Sequence, residues 1–334
     1  METKVQNTKC AFLARRCASL AAATLLLAAT VPAIAADWPS RPIRMIVPSA
    51  PGGGTDLMAR TLAQKLSEAL KVSVVVENKP GGEEMIGAAA VANAAPDGYT
   101  ILMAAANVAV NPATRASMPY KAEDLKPVSL TTLLPYVILV NPKLPVKTVA
   151  DLVAYSRKQP NGLNLATGGT SNLLASESFR LATGMRVMNI PYKGCAPSIM
   201  SVLSGETDVT FCSAPAAAQP VRAGQLKALA ITGDSRLDVL PGVPTTRELG
   251  DPKYRIDLVQ WHGIFVPAAT PPAIVQRLHD EIDKALSLPD VKERARQLGG
   301  VTAHLSLAQV GQFFDKEMAV SRQIVTDANI TIGN

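Results

Sequence analysis

The chain has 334 residues, 48% hydrophobic and 4% aromatic, with 33 Lys/Arg against 27 Asp/Glu for a formal charge of +6. Half of that excess lies in residues 1–36, which carry four Lys/Arg and one Glu, so the remainder stands at +3. Few aromatics and no basic stripe interleaved with them argue against nucleic-acid binding. Three scattered histidines (His262, His279, His304) and a cysteine spacing that fits no zinc pattern argue against a metal centre, and no cofactor motif is found.

The N-terminus reads as an export signal. Lys4, Lys9, Arg15 and Arg16 precede an apolar run from Leu20 to Val31, and Ala33-Ile34-Ala35 supplies small residues at cleavage spacing. Cleavage is expected after Ala35 or Ala36, leaving a periplasmic protein. The run is too short for a membrane span, which takes roughly 20 apolar residues.

Beyond the leader, Ile43, Met45 and Val47 alternate as a strand that ends at Pro48. Pro51-Gly52-Gly53-Gly54 then turns the chain, and Thr55 or Asp56 is placed to cap a helix carrying Leu57, Leu62, Leu66 and Leu70. A strand, a glycine turn and a helix start together can hold an anion, because unpaired N–H groups and the helix dipole point the same way. The same stretch is also compatible with a tight turn that binds nothing. It is neither a P-loop, since no lysine occurs between Arg44 and Lys65, nor a dinucleotide fingerprint, since no third spaced glycine follows Gly54.

Val72 to Glu77 is the next strand, Asn78 to Gly82 a second glycine turn, Met85 to Ala94 a helix and Tyr99 to Met103 a strand. This β-α-β-α-β succession calls for a parallel sheet, with the loops at 49–56, 78–86 and 104–108 on one rim. Asn107 and Asn111-Pro112 are read as opening a connection. A second set follows: strands at 137–140, 162–166, 187–190, 208–211 and 226–231, with helices at 148–158, 173–183 and 195–203 between them. Its hydroxyl-rich turn, Thr167 to Asn172, matches the first glycine turn in kind. The chain then returns through a strand at 261–267 and helices at 271–286, 288–298 and 306–327. Cys195 and Cys212, the two cysteines beyond the leader, can form one disulfide in an exported protein or stand as two buried or cleft-lining thiols.

Seven ordered landmarks carry a resemblance: Trp38-Pro39-Ser40-Arg41-Pro42-Ile43-Arg44, Pro51 to Asp56, Val75-Val76-Glu77-Asn78-Lys79-Pro80-Gly81, Ala95 to Thr100, Pro191-Tyr192-Lys193-Gly194, Pro241 to Thr245 and Gly263 to Pro267. The chain resembles the substrate-binding proteins of tripartite tricarboxylate transporters, the Bordetella uptake (Bug) family. The resemblance implies an α/β type II periplasmic binding protein, two lobes joined by two crossing strands, that closes on a small solute. Lobe one is expected at 37–135 plus 262–334, and lobe two at 136–261. It also implies a carboxylate held by backbone N–H groups, hydroxyls and ordered waters without an arginine clamp. The ligand-binding candidates are Ala50, Gly53, Gly54, Thr55, Asp56, Glu84, Asn107, Thr167, Gly169, Thr170, Ser171, Asn172, Cys212 and Ser213.

Three departures bear on the ligand. Glu83 and Glu84 replace two glycines that the family commonly has in its second turn; they are either exposed acids at a helix start or a pocket-facing pair that selects a cationic or hydrogen-donating group. The Thr-His pair common in the lobe-two turn reads Asn172-Leu173, and Cys212 stands where an aspartate is frequent. Both changes make that half of the pocket less polar and favour an aromatic or mostly apolar carboxylate over citrate. The function implied is a monomeric, non-enzymatic receptor delivering an organic acid to the permease subunits. A sensor that presents its closed form to a kinase is the alternative; an enzyme on the same scaffold would need a nucleophile signature, which neither cysteine nor any histidine has.

Overall fold

The computed structural model describes residues 38–234 and 236–330, and contacts gather the chain from Arg41 onward into one unit. The expected leader and cleavage site lie outside the described residues. In the first half, β1 (Ile43–Val47) leads to α1 (Gly54–Leu70), β2 (Val74–Asn78), α2 (Met85–Ala92), β3 (Thr100–Ala105), α3 (Asn107–Thr114) and β4 (Leu125–Leu134). The second half runs β5 (Tyr136–Val140), α4 (Val149–Lys158), β6 (Leu163–Thr167), α5 (Thr170–Thr183), β7 (Val187–Pro191), α6 (Cys195–Ser204), β8 (Val209–Ser213), α7 (Ala214–Arg222) and β9 (Lys227–Ile231). The return is β10 (Gln260–Pro267), α8 (Pro272–Ser287), α9 (Pro289–Gln297), β11 (Val301–Thr302) and α10 (Leu307–Asp327).

Two sheets result, one per lobe. The first has the order β11-β4-β10-β3-β1-β2, and the second β7-β6-β8-β5-β9. β1 is parallel to β2 and β3, as the β-α-β-α-β reading requires, while β10 runs antiparallel to β3 and β4. In the second sheet β6 is parallel to β7 and β8, and β5 is antiparallel to β8 and β9. The chain crosses between lobes where β4 gives way to β5 and again on entering β10.

The period-2 geometry of a strand explains why lobe two has two cores. Along β5, Tyr136, Ile138 and Val140 face one apolar cluster with Phe179 and Phe211, while Val137 and Leu139 face another with Ile199 and Leu237. A strand covered on both sides is apolar throughout, which is why YVILV is legible as a strand without alternation. In lobe one, α10 docks by aromatic packing: Trp261 and Phe265 of β10 meet Phe314 at centroid distances of 6.4 and 5.2 Å.

Several elements depart from the sequence reading. Residues 107–114 are helical although Pro112 lies inside the segment, because burial of Val108, Ala109, Val110 and Ala113 outweighs the N–H that proline lacks. β4 has no counterpart in the sequence reading: Pro127 and the Thr131-Thr132 pair break its apolar pattern, yet it pairs with both β10 and β11. α7 is likewise missed; Pro215 falls in its first turn, where proline is tolerated, and Pro220 lies inside it. Nor is α1 capped by Thr55 or Asp56; its N-cap is Gly53, with no side-chain bond to the first turn.

Candidate functional site: the cleft between the lobes

The first glycine turn is braced from below. Asp56 accepts from the Gly52 N–H (2.9 Å), from Asn78 Nδ2 (2.9 Å) and from Arg60 Nε (3.0 Å). Burial would raise the pKa of its carboxyl, but the Arg60 guanidinium and the Gly52 and Asn78 donors outweigh that and hold it below the ordinary aspartate value. Asp56 is thus an ionised tether that shapes the turn. Gly54 and Thr55, the first two residues of α1, line the cleft.

Three helices of lobe two begin opposite. The N-caps of α5, α6 and α7 are Gly169, Gly194 and Ser213, and none makes a side-chain capping bond. Gly168 lets two of these turns pack backbone to backbone, since a Cβ there would lie 2.5 Å from the Gly194 carbonyl carbon. Cys195, the first residue of α6, is joined to Cys212 at the end of β8 as a disulfide with Cα atoms 5.6 Å apart. This resolves the open choice between a disulfide and two thiols. Asn172 donates to the Phe211 carbonyl (2.7 Å) and approaches Cys195 Sγ (3.5 Å), fixing the first turn of α5 against the same two elements.

These four helix starts surround a cavity of about 510 Å³ lined by Gly52, Gly54, Thr55, Leu57, Leu134, Gly168, Asn172, Gly194, Cys195, Ser213, Ala216, Gln260, His262 and Leu298. No lysine, arginine, aspartate or glutamate is among them. Its polarity comes from backbone dipoles, hydroxyls, two amides and an imidazole, with Leu57, Leu134 and Leu298 beside them. Burial pushes the His262 pKa down to about 4, so its imidazole is neutral.

Of the residues singled out from sequence, Gly54, Thr55, Asn172 and Ser213 line this cavity. The others lie around it. Ala50 is exposed and accepts from the Gly53 N–H (3.5 Å), and Gly53 is the cap of α1. Thr167 donates to Asn189 (2.8 Å), Gly169 caps α5, and Cys212 is buried in the disulfide. Thr170 and Ser171 reach across to lobe one, donating to Glu83 Oε2 (2.5 Å) and Asn107 Oδ1 (2.6 Å). Glu83 is also paired with Arg115 (3.0 Å). Glu84 turns to the Ala105 N–H (3.0 Å); burial, with the Glu83 charge beside it, pushes its pKa up to about 8 against that bond.

The residues that sequence reasoning missed are chiefly those of the crossing segment and the α6 turn: Leu134, Gln260, His262, Gly194 and Cys195. One signal for His262 was available, a polar side chain set in the apolar run Trp261-His262-Gly263-Ile264-Phe265-Val266.

Two α/β lobes flanking a cleft lined by helix N-termini define a periplasmic binding protein. The chain belongs to the family whose model is described as the tripartite tricarboxylate transporter family receptor, which matches residues 58–330. It is 39% identical over 267 residues to the protein BugT of Bordetella pertussis, covering 78% of this chain and 81% of that one. MatC of Rhodopseudomonas palustris, solved with bound malate, is 27% identical with a TM-score of 0.70, covering 86% of this chain and 100% of MatC. Another R. palustris protein, solved with adipate, is 30% identical with a TM-score of 0.75, covering 88% and 99%. The family is one of substrate-binding receptors, not enzymes, and no helix among the described residues is long and apolar enough to cross a membrane.

Proposed function

We propose that this protein is exported, loses its leader near Ala35 or Ala36, and captures a small organic dicarboxylate between a lobe at 37–135 plus 262–334 and a lobe at 136–261. As a monomer it then delivers the acid to the permease of a tripartite tricarboxylate transporter. The observation that carries this reading is the convergence of four uncapped helix N-termini on a cavity with no charged side chain. Each N-terminus offers N–H donors and a partial positive charge, so the opposed lobes suit two carboxylates, one on each side. Leu57, Leu134, Ala216 and Leu298 suit an aliphatic middle better than the extra hydroxyl and carboxylate of citrate. The relatives solved with malate and adipate support the same class.

A thermal-shift screen of the processed protein tests this. Malate, adipate, longer aliphatic and aromatic dicarboxylates, citrate and amino acids are compared after unfolding and refolding to remove carried-over ligand. At about 100 times its Kd an acid adds roughly 2.7 kcal/mol, a clear rise in Tm. A response confined to neutral or cationic solutes overturns the proposal.

A further inference from the structure

His262 links two hydroxyls of lobe one. Its Nδ1 lies 2.8 Å from Thr132 Oγ1 and its Nε2 lies 3.2 Å from Thr55 Oγ1. His262 is 3% exposed, and its ring, being neutral, carries one N–H. Thr132 decides which nitrogen holds it. Thr132 is 1% exposed, and Nδ1 is the one hydrogen-bond partner of its Oγ1 among the described residues. A proton on Nδ1 would leave the Thr132 hydroxyl hydrogen buried without an acceptor, at a cost that neighbouring groups do not offset. With Nδ1 accepting from Thr132, the proton belongs on Nε2, which then donates to Thr55 Oγ1. The Thr55 hydroxyl hydrogen is thereby turned away from the imidazole, and Thr55 lines the cleft.

Resting on the carboxylate reading above, we propose that Thr132 and the Nε2–H tautomer of His262 set the Thr55 hydroxyl as a donor into the cleft. This arrangement makes lobe one select a ligand oxygen that accepts and reject an ammonium at the same place. The opposite tautomer would reverse the selection, since Thr55 would donate to Nε2 and present only lone pairs. His262 and Thr132 are positioning residues; the contact with the ligand belongs to Thr55.

The test is long-range ¹H–¹⁵N NMR of the processed, ligand-free protein with ¹⁵N-histidine, the His262 signals being assigned by their loss in H262Q. At about pH 7 the expected pattern is an unprotonated Nδ1 and a protonated Nε2, and a protonated Nδ1 overturns the proposal. Because this measurement uses the wild-type chain, it stands even if a variant folds poorly. In T132V the tautomer preference should be lost and the Kd for malate or adipate should rise about tenfold, with T132S restoring both. Wild-type affinity in T132V also overturns the relay. Failure of either acid to bind wild type counts against the carboxylate reading instead, while the tautomer still decides the relay.

Discussion

Glu83 and Glu84 hold left-handed backbone, with φ of 49° and 77°, where the family commonly has glycine. Such a conformation costs a side-chain-bearing residue about 1 kcal/mol or more, so each glutamate is retained against local strain. What offsets it is visible: Glu83 binds Arg115 and Thr170, and Glu84 accepts the Ala105 N–H. Glu84 also ties stability to pH. Its pKa of about 8 lies above the ordinary 4.5, so the native protein keeps a proton that the unfolded chain releases. Stability should therefore fall as pH rises from 4.5 through 8, and E84Q should flatten that decline in thermal melts. His262 acts on the acid side. The unfolded imidazole takes a proton near 6.5 that the buried ring refuses until about 4, so stability should fall as pH drops through that window. The loss is on the order of 3 kcal/mol, and H262Q should remove it. In the site, T55V should weaken malate or adipate binding by about 10- to 100-fold by calorimetry, the worth of one hydrogen bond to a charged group.

At the scale of elements, the α6 start owes its position to a covalent tie as well as to packing. The Cys195–Cys212 bridge spans 17 residues. Closing a loop of that size stabilises a fold by about 3 kcal/mol, chiefly through the unfolded chain. The paired C195S/C212S variant should lose stability of that order in denaturant titrations. Ligand affinity should fall too, since Gly194 and Cys195 line the cleft. If affinity is unchanged, the bridge serves stability alone. The C-terminal helix is held differently. Its Phe314 is 5% exposed and packs on Trp261 and Phe265, while Trp261 Nε1 donates to Glu317 (3.0 Å). F314A should cost about 3–5 kcal/mol, read as a lowered midpoint of unfolding.

Across the whole molecule, the lobes meet outside the cavity as well as around it. Thr170 and Ser171 bridge to Glu83 and Asn107, and Leu174 of lobe two is buried with Val110, Ala113, Ile324 and Val325 in a separate apolar cluster. These contacts join the lobes through the chain's own side chains, so they contribute to the free energy of closure. A receptor whose closed form is already populated binds with less loss of apparent affinity than one that must be closed by its ligand. Combining T170V with S171A should weaken lobe closure and raise the Kd for malate or adipate by about 2- to 10-fold. An unchanged Kd would mean that the apolar cluster alone sets the lobe arrangement.

Several features of this protein follow from sequence alone because their causes are local. Ile43 to Val47 and Tyr136 to Val140 are strands by composition and period, and Gly52 to Gly54 must turn whatever surrounds them. The ordered landmarks from Trp38 to Pro267 are enough to place the chain in its family and to set two sheets around a cleft. The helix at 107–114, the strand at 125–134 and the helix at 214–222 are not legible in this way. Their prolines and threonines obey burial and ladder partners that come from distant parts of the chain. The same holds within the cleft. Thr170 and Ser171 look like ligand donors in the sequence, yet they find acceptors on the other lobe. Asp56 looks like a cap and is a tether beneath the turn. Cys195 and Cys212 become partners because β8 and the start of α6 are brought together, and His262 becomes part of the site because β10 threads between Thr132 and Thr55. The His262–Thr132 pairing, 130 positions apart, is set by sheet register, and the His262–Thr55 pairing, 207 positions apart, by where α1 starts over that sheet; only the assembled tertiary structure fixes both.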